Sequence, residues 1–382
     1  MKHDREIIYL AGFLFSLPLA LTSYINSSYL QGFTSASYVG FVYIVSAVLT
    51  IFGFLKLPKI LTHLGNRKAA LTFSVLLFFS LLFLAFGRAS FIVIPAFILY
   101  FISSNFLIAS LDVFVEDFSQ KRRIGGIRGT YLSLTSLAWV AAQVISGSII
   151  LKSSLAGLYL ISAMFMALVS TIFILFLHDF VDPKYKKVPT SRTIKSFIAN
   201  KHLSKIFLIN LILKFFYSWM IIYTPIYLHE YMGFAWGKIG IIFSIMLIPF
   251  VVLDFPLGKL SDKIGEKKIL ILGFLFAAFF TSIIPLINVP SVAIFALVLF
   301  ATRIGAASIE TMSESYFFKC ISEEDADLIS FFRNTTPLSF ILGPALAIPV
   351  LFFVPEFSHL YFALGTILLA GLLTTLRLED IR

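Results

Sequence analysis

The sequence predicts an all-α integral membrane protein with twelve transmembrane helices in two pseudo-symmetric six-helix bundles, and three observations predict it. With 59% hydrophobic and 13% charged residues, and 44 phenylalanines in 382 positions, the chain carries more apolar surface than a soluble domain can bury. Lipid is therefore the solvent for most of its exterior. Apolar stretches near the ~20 residues of one bilayer crossing recur twelve times. The chain also repeats itself: Gly258, Leu260, Asp262, Lys263, Gly265, Lys267 and Lys268 stand opposite Pro58, Ile60, Thr62, His63, Gly65, Arg67 and Lys68. Gly32, Phe33 and Gly40 recur as Gly233, Phe234 and Gly240, and Ser110, Asp112 and Glu116 as Ser308, Glu310 and Glu314. Arg128 and Thr130 find a third echo in Arg333 and Thr335. Duplication on this scale marks internally repeated helical folds.

The first crossing, centred near Leu17, follows the charged run Lys2 to Arg5. It is too long and lacks the small-residue cleavage site of a secretory signal, so it reads as a retained helix. The next five centre near Val45, Leu77, Ile102, Leu137 and Phe165, most of them bounded by glycine, proline or charge. A polar stretch from Asp179 to Lys205 then interrupts the pattern with Lys184, Lys186, Lys187, Arg192, Lys195, Lys201 and Lys205. Six more centre near Phe215, Ile245, Leu275, Phe300, Leu342 and Ile367. The predicted organisation is an N-terminal bundle over 1–178, a cytoplasmic linker over 179–203 and a C-terminal bundle over 204–382.

The net charge of +10 raises the question of nucleic acid, and the placement of the charges answers it, because they sit at segment ends. Loops after even-numbered crossings hold Lys59, Arg67, Lys68, Lys121, Arg122, Arg123, Arg128, the linker cluster, Lys259, Lys263, Lys267 and Lys268. The alternate loops hold only Arg88, Lys152 and Lys238. Basic residues stay cytoplasmic, so both termini are expected there, in a prokaryotic plasma membrane, with the clusters contacting lipid headgroups. The single cysteine, Cys320, excludes an internal disulfide, and no Cys/His cluster suggests a metal.

At this point the residues resemble the major facilitator superfamily. Its loop signature, Gly-x-Leu-x-Asp-Lys/Arg-x-Gly-x-Lys/Arg-Lys/Arg, is matched in full from Gly258 to Lys268, and the repeat carries the likeness over the whole chain. The resemblance implies two six-helix bundles joined by a long cytoplasmic loop. The motif also has a physical logic. Gly258 and Gly265 supply the small residues that a tight turn between antiparallel helices needs. Asp262 can accept hydrogen bonds from the exposed amides of a helix start, where the dipole favours an anion. By resemblance that helix is the fifth crossing, opening near Ile127 and Arg128, and the contact latches the cytoplasmic side shut. Pro58, Thr62 and His63 depart from the pattern in the first copy, which predicts an asymmetric latch, strong at Asp262 and weak at Thr62.

Ionisable groups in a bilayer core are costly and mark pathways by default. Lys214 falls about 15 Å along the seventh crossing and Arg303 about 18 Å into the tenth, with Glu310 two turns beyond on the same face. Asp112 is the repeat-mate of Glu310, and Asp254 lies near the cytoplasmic end of the eighth crossing. Glu310 with Glu314, and Asp112 with Glu116, place two carboxylates one turn apart, and carboxylates that take up protons at a water-filled cavity are what proton coupling needs. Glu116 and Glu314 read as gate residues paired with Arg128, Arg333 or loop lysines. Arg303 and Lys214 keep two readings: both bind an anionic or zwitterionic substrate, or Arg303 partners Glu310 while Lys214 snorkels to the cytoplasm.

Tyr24, Asn26, Asn105, Tyr217, Trp219 and Asn334 are further polar or aromatic groups on possible cavity faces. Tyr131, Thr135, Trp139 and Gln143 form a stripe at a spacing of four. Such groups bind solutes or tie helices together. The superfamily's drug/proton antiporters resemble one another by a Gly-Pro pair in the fifth crossing, whereas this chain reads Trp139 to Gly147 there and carries Gly343-Pro344 in the eleventh. The expected function is secondary transport of a small solute by alternating access, proton-coupled through Glu310, by a monomer that needs no cofactor. Drug efflux, or a membrane receptor or assembly protein that kept the fold, are the competing readings. No phosphate-binding Gly-x-x-x-x-Gly-Lys-Ser/Thr loop is present, and the six histidines, mostly at segment ends, assemble no catalytic constellation.

Overall fold

The computed structural model describes residues 2–23, 25–34, 36–117, 124–152, 155–177, 190–322, 325–353 and 356–379, and among them regular structure is helical throughout. Tyr24, Lys121, Arg122, Arg123, Lys184, Lys186 and Lys187 lie outside the described residues. In chain order the helices are α1 (Lys2–Ser23), α2 (Asn26–Gln31), α3 (Ala36–Leu64), α4 (Asn66–Phe86), α5 (Ser90–Asp117), α6 (Ile124–Lys152), α7 (Leu155–Phe176) and α8 (Thr190–Ala199). They continue as α9 (Lys201–Ile226), α10 (Trp236–Ile264), α11 (Lys267–Ile283), α12 (Val292–Lys319), α13 (Ala326–Phe332), α14 (Thr335–Phe353) and α15 (Leu360–Leu376). Among the described residues, eleven membrane-length apolar helical spans cover eleven of the twelve expected centres, and the remaining one, Leu137, lies on α6.

The chain forms two compact units, and each draws on both repeats. The first comprises 1–119, 148–199 and 321–338; the second comprises 120–147, 200–320 and 339–382. The unit boundaries therefore do not follow the sequence repeat: most of α6 packs with the second repeat, and α13 with the first.

In the first unit α4 packs on α5 and α7, α1 on α7, and α3 on α5. Phe54 of α3 stacks on Phe106 of α5 with ring centroids 5.1 Å apart. That face is open to the ring because Gly53 lacks a Cβ, which would lie 2.4 Å from Phe106 Cζ. The predicted linker is not wholly irregular, since its last part is α8. Thr193 and Phe197, one turn apart, turn inward onto α13, where the Thr193 hydroxyl donates to Asp327 Oδ2 at 2.7 Å and Phe197 meets Phe331 at 4.7 Å. An amphipathic decapeptide with two buried anchors gains a helix from tertiary packing that its polar composition hides. Asn200 then caps α9, its side chain accepting from the His202 and Leu203 amides, so this helix starts ahead of the expected boundary at 204.

In the second unit α12 packs on α9, α10 and α11, and α15 packs on α9 and α11. The α11/α12 pair approaches at backbone distance: a Cβ on Gly305 would lie 2.5 Å from the Gly273 carbonyl. Helix α10 contains Pro249 and Pro256, each removing an amide from the helical ladder. The repeat is visible in the turns as well. Gly65 (φ 78°) and Gly265 (φ 84°) both occupy the left-handed region before the next helix, where a side chain is strained. Their followers, Asn66 and Glu266, are completely buried.

Candidate functional site

The signature loop makes a hydrogen-bonded contact with α6 within the second unit. The Gly126 amide, in the first turn of α6, donates to Asp262 Oδ2 at 3.1 Å. Asp262 is the last acidic residue of α10, so its carboxylate meets the exposed amides of another helix where the dipole is favourable. Lys319, at the end of α12, lies 3.7 Å from Asp262 Oδ1 and 2.7 Å from Glu266 Oε1, while Ser315 donates to Glu266 Oε1 at 3.1 Å. Burial pushes the Glu266 carboxyl up, against the lowering effect of Lys319 and Ser315. Gly258, Lys263, Lys267 and Lys268 complete the loop, with Lys263 and Lys268 exposed.

One turn deeper, Arg128 Nη2 donates to Glu314 Oε2 at 2.5 Å, both side chains almost fully buried, and the guanidinium lies 3.9 Å over the Phe318 ring. The first unit holds the echo of this pair, one turn out of register. Arg333 bonds the Asp112 carboxylate, one turn before Glu116, the repeat-mate of Glu314. Asp112, expected on the substrate path with Glu310, thus belongs to a buried ion pair at the start of the eleventh crossing. Glu116 is buried on α5. Thr62, standing where the second copy has Asp262, donates to the Lys59 carbonyl of its own helix at 2.9 Å.

Deeper along the second unit lies a charged cluster on α9, α10 and α12. Lys214 Nζ is 2.7 Å from Glu310 Oε1, and Tyr217 donates to Glu310 Oε2 at 3.0 Å. Lys214 therefore turns into the carboxylate instead of snorkelling, because a counter-charge within reach is a better partner inside the bilayer than a distant surface. Arg303 lies over the rings of Phe216 and Tyr217, 4.9 and 5.9 Å from their centroids. Asp254 accepts hydrogen bonds from Thr311, the residue after Glu310, at 2.8 Å and from Ser136 of α6 at 3.3 Å.

The other sequence candidates divide. Asn105 sits in the first unit and donates to the Phe101 carbonyl of its own helix. Asn26 accepts from Tyr159 at 2.8 Å and ties helices together. Tyr131 and Gln143 are buried on α6 and Trp139 is half-buried; Arg128 lies 5.8 Å from the Tyr131 ring. Asn334 donates to the carbonyls of Ser330 and Phe331, and Trp219 to that of Gly343. What sequence reasoning missed is a second stripe on α6. Gly126, Gly129, Ser133 and Ser136 share a face, and α10 lies against it: a Cβ on Gly129 would lie 2.6 Å from the Asp254 carbonyl, and Ser133 accepts the Phe255 amide at 3.0 Å. The small-residue spacing was the available signal. Lys319 and Glu266 were also missed, having no counterpart in the motif. A cavity of about 720 Å³ in the same unit, walled by Tyr227, Tyr231 and Phe357, includes none of the expected site residues.

Residues 225–381 match the sequence model of the Major Facilitator Superfamily. Over the whole chain the fold is similar to the crystal structure of the human organic anion transporter MFSD10 (TETRAN), with a TM-score of 0.80 and 14% identity, covering 98% of this chain and 99% of that one. At that identity the likeness is one of fold. No curated protein matches the chain.

Proposed function

We propose that this chain is a secondary transporter of the major facilitator superfamily and moves a small organic anion by proton-coupled alternating access, a reading supported by the sequence match over residues 225–381 and by the fold. The observation that carries this reading is the Lys214–Glu310 ion pair inside the membrane-spanning helices α9 and α12, with Tyr217 on the same carboxylate and Arg303 alongside. The pair holds an ammonium and a carboxylate in balance at a depth where either alone is expensive. Proton uptake by Glu310 cancels its charge and releases Lys214 to an incoming anion; loss of the proton restores the pair and expels the anion. One proton and one negative charge move together, and the net charge of the site is the same in both states. The transport of organic anions by MFSD10 is consistent with the two cations here. In this reading the Asp262 latch lies on the cytoplasmic side.

Flux into proteoliposomes tests it, with a panel of carboxylates, sulfonates and phosphate esters set against organic cations and an imposed pH gradient. Wild type should accumulate anions down the proton gradient. Glu310→Gln should lose that drive and Lys214→Ala and Arg303→Ala should lose anions selectively. Indifference of both cation mutants to substrate charge removes the anion reading, and unchanged proton-driven flux in Glu310→Gln removes the coupling residue.

A further inference from the structure

We propose that Asp254 is a second proton site, distinct from Glu310, and that its charge state sets how firmly α6 is held against α10 and hence whether the Asp262 latch is closed. The inference rests on the proton-coupled reading above and adds the device that couples the proton to the gate.

Asp254 is 1% exposed, in the middle of the second repeat's packed helices. Among the described residues no lysine, arginine or histidine nitrogen pairs with its carboxylate, whose partners are two hydroxyls, one from α12 and one from α6. Every other acidic side chain discussed for the second unit has a cation: Glu310 has Lys214, Glu314 has Arg128, and Asp262 and Glu266 share Lys319. A membrane-buried carboxyl without counter-charge is the kind of group that exchanges a proton rather than one that builds a static tie.

Its position decides what the proton does. Asp262, Gly258 and Asp254 succeed one another at four-residue steps on α10, and Gly126, Gly129, Ser133 and Ser136 run along α6 beside them. The α6/α10 contact thus has a polar tie at each end, the Gly126 amide on Asp262 and the Ser136 hydroxyl on Asp254, with Ser133 holding the Phe255 amide between them. Ionised Asp254 accepts from both Thr311 and Ser136. On protonation both bonds lose the assistance of the carboxylate charge, and the longer one, to Ser136, is the weaker tie that yields first. The groups facing Asp254 are these. From α12 come Thr311 and Glu310, and from α9 Tyr217 and Lys214, both bonded to Glu310. From α6 come Ser136 and, two turns away, Arg128 bonded to Glu314; on α10 itself, Lys259 and Asp262 lie toward the latch.

The test reads the latch directly and needs no substrate. In a Cys320→Ser background, Gly126→Cys places a reporter whose Cβ would sit 3.7 Å from both Asp262 Oδ2 and Lys259 Cγ, an ordinary contact. Its rate of alkylation by N-ethylmaleimide in proteoliposomes is compared in mildly acidic and mildly alkaline buffer. The expected result is a rise of at least about fivefold in acid, abolished in Asp254→Asn, which labels at the fast rate in both buffers. Ser136→Ala, which keeps the carboxyl and severs only its tie to α6, should also label fast in both, and serves where Asp254→Asn does not fold. Glu310→Gln should retain the pH response. A pH response that persists in Asp254→Asn or Ser136→Ala, that vanishes in Glu310→Gln, or that is replaced by a sodium response at constant pH overturns the inference. Wild-type flux indifferent to the pH gradient would instead overturn the proton-coupled transport reading.

Discussion

The Gly126 amide and the Asp262 carboxylate, 136 positions apart in the chain, are joined by a 3.1 Å hydrogen bond. Thr62, at the same place in the other repeat, spends its hydroxyl on its own helix. A carboxylate at a helix start contributes about 0.3–1 kcal/mol, up to about 2 when partly buried. Asp262→Asn should therefore shift the closed-to-open balance by about 1 kcal/mol, toward open, while Thr62→Ala leaves it in place. Alkylation of cysteines introduced at the latch end reads both; an equal response of the two mutants counts against the asymmetry.

Glu314→Ala removes the carboxylate from a buried guanidinium and should cost about 3–5 kcal/mol, as breaking a buried pair does. The apolar double variant Arg128→Met with Glu314→Leu should recover much of that loss. Thermal unfolding in detergent measures both, and a double variant as unstable as the single one would show that the pair contributes more than it costs to desolvate.

Gly305 and Gly240 separate packing from propensity. Gly305→Ala pushes a methyl to 2.5 Å from the Gly273 carbonyl and the Ala277 amide, so the α11/α12 crossing must open at about 1–3 kcal/mol. Gly240→Ala meets nothing within 4 Å and should be neutral or stabilising by up to about 1 kcal/mol, since alanine is the better helix former. Unfolding midpoints of the two variants should move in opposite directions or differ clearly in size.

Cys320 lies just past the end of α12, and burial, with a smaller contribution from the Glu266 charge, pushes its thiol up to about 12. The folded protein should consequently be alkylated slowly at neutral pH, with a rate that keeps climbing as pH rises past the range where an ordinary thiol is already fully ionised. A raised thiol pKa stabilises the fold fully below the ordinary value and loses that contribution as pH climbs toward 12. Glu266→Gln should bring the labelling curve to lower pH. A labelling midpoint in the ordinary thiol range would contradict the burial argument.

The crossings were legible because each needs only local information: enough apolar residues between breakers, as at Leu77 or Ile245, where the structure has α4 and α10. The Asp262 contact was legible too, since a carboxylate in a glycine-bounded turn has few places to send its charge. Partner choice was not. Lys214 was separated from Glu310 by 96 positions, and Asp112 from Arg333 by 221, and neither periodicity nor charge selects between acids one turn apart. Helix α8 was hidden for a related reason, because its two buried anchors, Thr193 and Phe197, count as anchors only once α13 is in place.

By itself the sequence determined an all-helical membrane chain, its duplication and the loop whose Asp262 meets a helix start, because bilayer length, repeat register and helix-terminus electrostatics are written in spacing along the chain. Tertiary structure alone decided that α6 packs with the second repeat and α13 with the first, that Lys214 answers Glu310, and that Asp254 is left with hydroxyls only. Those outcomes depend on which helix faces approach within a few ångströms, and the low-dielectric interior makes that proximity, rather than residue type, decide the partners.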